Sequence, residues 1–304
     1  MKILVTGSNG LLGQKLTDLL APREDIRLIA TARGEDRYPA GRHQYTFATM
    51  DITDADQVME VISAHKPDVV INSAAMTNVD QCETDREGCW NLNVNAVQHL
   101  IAACEANNVF LLHLSTDFIF DGEDGPYKEE DQANPVSYYG DSKLAAEVLI
   151  QKSKLSWAIA RTVLVYGIAH DMSRSNIILW VKNSLENSKH IKVVNDQWRT
   201  PTLAEDLAMG CYLIASKKAQ GIYNLSGEDF LNPYQMAMMT ADFFSLDKSL
   251  IEEVDGSVFS QTAKRPPKTG FIIDKAREVL GYQPVSFRQG IQVLSEQIKA
   301  AATK

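Results

Sequence analysis

A doubly wound α/β fold is predicted here: a parallel Rossmann sheet with a smaller C-terminal α/β substrate domain. Three observations predict it. Short β-branched runs alternate with amphipathic stretches through the first half of the chain. A glycine-spaced turn follows the first run at once. The run VFLLHLS, residues 109–115, is apolar almost throughout, as a strand buried on both faces must be.

Taken in order, Lys2–Thr6 (KILVT) predicts the first strand, and Leu11–Leu20, with leucines at helical spacing, the first helix. Strands follow at 26–31 and, more weakly, 45–49. An Asp-rich cap opens a helix at 54–64, and a strand covers 68–71. One helix is expected over 88–106, then the 109–115 strand, a helix through 144–152 and a strand at Trp157–Thr162. Strands alternating with helices imply right-handed crossovers and a sheet covered on both faces. Beyond Tyr166-Gly167 the rhythm loosens. Helices are expected at 173–186, 203–215, 233–244 and 287–300, and strands at Ile191–Val194 and 222–225, with a proline-rich irregular stretch at 266–281. The expected division is residues 1–166 as the dinucleotide-binding domain, with returning segments near 190–228. Residues 167–189 and 229–304 then form the substrate domain. No internal repeat or low-complexity tract interrupts this.

The chain of 304 residues, 45% apolar and 23% charged, is long enough to bury a full core. Its net charge of −9 argues against nucleic acid or an anionic membrane as a partner. Cys82, Cys89, Cys104 and Cys211 lack metal-ligand or disulfide-framework spacing, and the six histidines are scattered, so no metal site is expected. His113, inside the apolar strand, reads as a hydrogen-bonded core residue. The opening MKILVTG runs straight into a strand pattern, and no later run approaches a membrane span. A signal peptide is not expected, and the expected compartment is the cytoplasm.

TGSNGLLG, Thr6 to Gly13, spaces its glycines as G-x-x-G-x-x-G between a strand and a helix. Gly7, Gly10 and Gly13 allow a tight turn and close backbone approach to a pyrophosphate. Leu11 and Leu12 begin the helix whose N-terminus would face the phosphates. The second strand ends in LIATAR, so Arg33 stands where a NAD site would place an acid. A guanidinium there can pair with a 2′-phosphate, which points to NADPH, with NADH as the alternative.

VSYYGDSKLAAE, residues 136–147, holds Tyr139 and Lys143 four apart, on one helical face; Tyr138 points elsewhere. A nearby ammonium favours a phenolate, and a phenol so tuned can protonate a carbonyl oxygen as hydride arrives at its carbon. LSTDFIFDG, residues 114–122, would bring Ser115 and Thr116 out at the carboxyl end of the apolar strand, where ligands bind in such sheets.

With these pieces in order, the chain resembles the extended short-chain dehydrogenase/reductase superfamily, and within it dTDP-4-dehydrorhamnose reductases. MDITD (50–54), NSAAMTNVD (72–80), LNVNA (92–96), ARTVLVYG (160–167) and NDQWRTPT (195–202) carry the resemblance over two-thirds of the chain, and RPP (265–267) echoes a C-terminal element. The resemblance implies Thr116, Tyr139 and Lys143 as the catalytic set. Tyr139 would give the proton, Lys143 would bind the nicotinamide ribose and tune the phenol, and Thr116 would hold the keto oxygen. It implies Asp51 and Ile52 beside the adenine, and Ala74, Ala75 and Thr77 along the cofactor's middle. Asn93 would support the site, and Asp117 would reach the sugar. Arg199 and Arg265 are candidates for gripping a nucleotide diphosphate. A nucleotide sugar is the implied substrate, and a homodimer is compatible with the resemblance.

Three positions depart from the reductase pattern. Phe118 stands where a tyrosine is usual, Leu164 where a tryptophan packs on the sugar, and Lys268-Thr269 where an asparagine–serine pair is common. Two rival activities stay open. A nucleotide-sugar epimerase or dehydratase would use the same scaffold, although Asp117-Phe118 offers no Asp-Glu pair. A non-catalytic NADP-binding subunit, like the beta subunit of methionine adenosyltransferase, would keep the fold without turnover. The acidic loop 121–132 reads as a solvated, mobile flap, and Trp198 as a core or interface aromatic.

Overall fold

The computed structural model describes residues 1–170 and 176–302. The chain opens with β1 Lys2–Thr6, α1 Leu11–Leu20, β2 Arg27–Ala32, β3 Thr46–Thr49, α2 Ala55–His65 and β4 Val69–Asn72. Asp54 starts α2 by accepting the amides of Asp56 and Gln57, two of the donors that a helix start leaves open. Two short helices, α3 Val79–Thr84 and α4 Arg86–Trp90, lead through a π-helical turn, Asn91–Asn95, into α5 Ala96–Asn107. Then come β5 Phe110–Thr116, α6 Tyr138–Lys152, β6 Trp157–Thr162 and β7 Val165–Tyr166. The remainder is α7 Ile177–Glu186, β8 Ile191–Val194, β9 Thr202–Leu203, α8 Ala204–Lys217, β10 Gly221–Asn224, α9 Pro233–Phe243, β11 Ile251–Val254 and α10 Phe287–Ala302.

Seven strands form one parallel sheet in the order β10-β6-β5-β4-β1-β2-β3. The order reverses between β1 and β4, which makes their carboxyl ends the switch point where a doubly wound sheet binds ligands. Side chains alternate across the sheet. Ile3, Val5, Val69 and Ile71 pack with Leu16 of α1 and Leu207 of α8 on one face. Leu4, Val70 and Leu111 pack with Val58, Leu100 and Ile150 from α2, α5 and α6 on the other. Each such aliphatic side chain stabilises the fold by about 1.5–3 kcal/mol. A second unit holds α7, α9 and α10 around the two-stranded β8–β11 sheet. α9 begins with a capping box between Asn232 and Gln235.

Several expectations are corrected. The single helix over 88–106 is broken by the π turn, because the Asn93 side chain is bound from both sides. The segments of 190–228 divide between the two units. β8 pairs with β11 outside the large sheet, and only α8 and β10 rejoin it. The helix expected over 173–186 is seen as α7; residues 173–175 lie outside the described residues. The acidic loop is tied down. Tyr127 stacks on Phe120 at 4.1 Å, Asp121 accepts Tyr127 and Asn134, and buried Glu129 accepts the Asn224 amide at 2.9 Å.

Candidate active site

The glycine turn is built for a close-lying ligand. Gly7 has φ +67°, and a Cβ there would lie 3.0 Å from the backbone of Ala74. At Gly13 a Cβ would fall 2.3 Å from the Gly7 carbonyl oxygen. The turn after β1 therefore touches both the loop after β4 and the start of α1. α1 has no side-chain cap and no acid in its first turn, so its amides meet no competing carboxylate. Ser8 Oγ is buried without a partner, an orphan that a bound phosphate or ribose would satisfy. Leu11 and Leu12 begin α1. Arg33 follows β2 directly and is exposed, beside the turn that Ser8 closes by donating its amide to the Thr31 carbonyl at 3.0 Å. Asp51 and buried Ile52 follow β3, and Ala74, Ala75 and Thr77 follow β4, all on the carboxyl edge of the sheet. These residues fit a dinucleotide.

α6 brings Tyr139 and Lys143 to the same edge. Ser137 caps the helix by accepting the Gly140 amide at 3.3 Å. A Cβ at Gly140 would lie 2.2 Å from the Phe118 carbonyl oxygen, so glycine lets α6 press against the turn after β5. Tyr139 is buried, with its ring edge-on to Phe118 at 5.7 Å. Burial pushes its phenol well above the usual tyrosine range, and a hydrogen bond with Thr116 opposes this. Lys143 is also buried, and burial lowers its amine to about 8, opposed by Glu147 and Cys89. Its Nζ donates to the Leu114 carbonyl at 2.7 Å and lies 3.1 Å from His113 Nε2. Burial is thus the largest influence on Tyr139, and Lys143 is engaged with β5. Tyr138 packs under the Arg86 guanidinium, 4.8 Å from its ring centre.

Asn93 joins the loop after β4 to α6. Its Oδ1 accepts the Met76 amide at 2.8 Å, and its Nδ2 donates to the Met76 carbonyl at 3.1 Å and to Ser142 Oγ at 3.0 Å. The π turn presents the side chain in this direction, a known use of such bulges at working sites.

The structure departs from expectation on the substrate side. Asp117 is buried rather than open to a sugar: it accepts from Thr116 at 3.0 Å and from Thr269, and lies 3.5 Å from Arg199 Nε. Burial raises its carboxyl, with Arg199 opposing. Arg199 is no free phosphate grip, because its other nitrogens donate to the carbonyls of Trp198, Pro266 and Pro267. Arg265 pairs with Asp80 through both terminal nitrogens, at 2.7 and 3.2 Å. It also lines a cavity of about 500 Å³ with Lys264 and Phe259. A second cavity of about 490 Å³, lined by Trp180, Lys192 and the same Phe259, continues it along the second unit. Leu164 is 45% exposed and carries a left-handed φ of +36°, uncommon for a branched residue. Sequence reasoning missed Gly140, the bond from Thr269 to Asp117 and the contact of His113 with Lys143. The last joins α6 to β5, an approach that no local pattern in the sequence reports.

A parallel sheet with a glycine cradle at β1, a Ser-Thr pair ending β5 and a Tyr-x-x-x-Lys helix beside it defines an extended short-chain dehydrogenase/reductase. Within that class, the chain matches the RmlD substrate binding domain family over residues 1–300 and belongs to it. It is 30% identical to a dTDP-4-dehydrorhamnose reductase of Aggregatibacter actinomycetemcomitans, over 96% of this chain and 97% of that one. It is 27% identical to the methionine adenosyltransferase 2 subunit beta of Bos taurus, over 96% of this chain and 86% of that one. Among solved structures, a dTDP-4-dehydrorhamnose reductase of Clostridium acetobutylicum superposes with a TM-score of 0.86 at 26% identity, covering 98% of this chain and 100% of that one. Among the described residues, no helix is long and apolar enough to cross a membrane, and no group of three or more His, Cys, Asp or Glu converges as metal ligands would.

Proposed function

We propose that the chain reduces the 4-keto group of a nucleotide-linked deoxysugar, using NADPH with NADH as the alternative cofactor. The observation that carries this is the meeting of Thr116, Tyr139 and Lys143 at the carboxyl edge of β5, beside the glycine cradle. When bound, the nicotinamide supplies the hydride. Tyr139 delivers the proton to the keto oxygen: its raised phenol stays protonated at neutral pH, as a donor must. The Thr116 hydroxyl holds that oxygen in place, and Lys143 supplies positive charge beside it. Phe118 covers the Tyr139 ring and keeps water from it. Arg33 takes the 2′-phosphate. Lys264 faces the nucleotide's diphosphate in the groove that the Asp80-paired Arg265 also lines, where Trp180 and Phe259 offer flat apolar surfaces to its base.

A non-catalytic cofactor-binding subunit is the second reading, favoured by exposed Leu164 in place of the sugar-packing tryptophan. The deciding experiment measures NADPH consumption across a panel of 4-keto nucleotide sugars. Turnover of at least one supports the reductase. Tight NADPH binding with no turnover on any of them supports the subunit.

A further inference from the structure

Lys143 is held by a buried chain of hydrogen bonds that runs back to the cofactor turn. Its Nζ lies 3.1 Å from His113 Nε2, and His113 Nδ1 lies 3.0 Å from Asn72 Nδ2. Asn72 Oδ1 accepts the Thr6 hydroxyl at 2.6 Å, and Thr6 Oγ1 accepts the Ala74 amide at 3.2 Å. None of the four side chains is more than 2% exposed.

A neutral imidazole has one nitrogen that donates and one that accepts. Thr6 has a single hydroxyl hydrogen, and giving it to Asn72 Oδ1 turns the Asn72 amide nitrogen towards Nδ1. Nδ1 must then accept, so Nε2 carries the hydrogen and aims it at Lys143. Only an uncharged amine has a lone pair to receive it. Against an ammonium the whole chain must reverse. Nε2 accepts, Nδ1 carries the hydrogen, and the Asn72 amide turns over to present Oδ1. Thr6 then accepts from Asn72 as well as from Ala74.

We propose that His113 is a positioning residue for Lys143 whose tautomer is coupled to the charge of the amine through the chain Lys143–His113–Asn72–Thr6. The groups facing Lys143 are His113 and the Leu114 carbonyl from β5, Glu147 and Tyr139 from α6, and Cys89 from α4. Glu147 is itself paired with Arg161 at 2.8 Å. Burial, and then Lys143, hold the imidazole well below its ordinary range, so His113 stays neutral and can only change tautomer. The chain ends where the turn after β1 meets the loop after β4. The charge of Lys143 is therefore felt at the cofactor cradle.

The catalytic meaning rests on the reductase reading, but the first test does not. Nitrogen-15 NMR of histidine-labelled, cofactor-free protein reads the tautomer directly. At pH 6.5 the wild type should show the Nδ1–H form, and Lys143→Met the Nε2–H form. The same tautomer in both proteins overturns the coupling, whether or not any sugar is turned over. Where turnover is measurable, His113→Leu should move the alkaline limb of its pH profile down by about one unit. His113→Gln, whose amide oxygen accepts from an ammonium, should restore that limb. An unmoved limb in a folded His113→Leu protein overturns the positioning role.

Discussion

Asp117 and Thr269 stand 152 positions apart in the chain, yet the Thr269 hydroxyl donates to the Asp117 carboxylate in the closed interior. The bond clips the C-terminal segment over the turn after β5. Two backbone bonds help it, from the Lys268 amide to the Gly122 carbonyl at 3.1 Å and from the Trp198 amide to the Pro267 carbonyl at 2.6 Å. Thr269→Val keeps the shape and leaves a buried carboxylate short of one donor. Urea unfolding should show a loss of about 1–3 kcal/mol. An unchanged midpoint would mean that the clip contributes nothing.

Gly140→Ala should disturb the site from behind. The added methyl would fall 2.2 Å from a backbone carbonyl oxygen, and backbone cannot swing aside as a side chain can. The helix must retreat, taking Tyr139 with it. We expect a stability loss of about 1–3 kcal/mol, as for other overpacked sites. Turnover should fall at least about tenfold, the cost of an ångström-scale misplacement. Wild-type turnover in a folded variant would show that Gly140 does not set the position of Tyr139.

Lys143 should cost stability while it is charged. Its folded-state amine titrates at about 8 against 10.5 when free in the unfolded chain. Between those values the unfolded chain holds the extra proton, so stability contributed by this group rises with pH across that window. Below pH 8 the full cost is present, about 3 kcal/mol. Lys143→Met should therefore be more stable than wild type at pH 7, by at most that amount. The gap should close as pH rises from 8 to 10. Parallel stability curves over that range would contradict the shift.

Arg33→Ala should separate the two cofactors. Losing a charge-assisted bond to the 2′-phosphate costs about 1.5–3 kcal/mol, so NADPH should bind about 10- to 100-fold more weakly by fluorescence titration. NADH, which lacks that phosphate, should change less than about twofold. Equal losses would make Arg33 a bystander.

The frame of this molecule was legible because its signals are local. The nearly unbroken apolar run of β5, the leucine spacing of α1 and the glycine turn each report on a neighbourhood of a few residues. Features set by distant partners were not legible. The π turn exists because Asn93 binds Met76 and Ser142, 17 and 49 positions away. The acidic loop looks solvated in sequence, but Glu129 is drawn in by the Asn224 amide 95 positions on. Arg199 resembles a phosphate grip until its carbonyl acceptors arrive from residues 266 and 267. The Tyr139–Lys143 spacing put both residues on one helix, and α6 carries both. That Lys143 leans on His113 needed the packing of α6 against β5, which brings together residues 30 positions apart.

If Tyr139 delivers the proton in a reductase, removing its hydroxyl should stop turnover and spare cofactor binding. Turnover with NADPH and a 4-keto deoxysugar nucleotide is compared between wild type and Tyr139→Phe, with NADPH affinity measured on both. The variant's kcat should fall by about 10²–10⁴-fold, with affinity for NADPH little changed. A Tyr139→Phe protein that turns over as fast as wild type would contradict it.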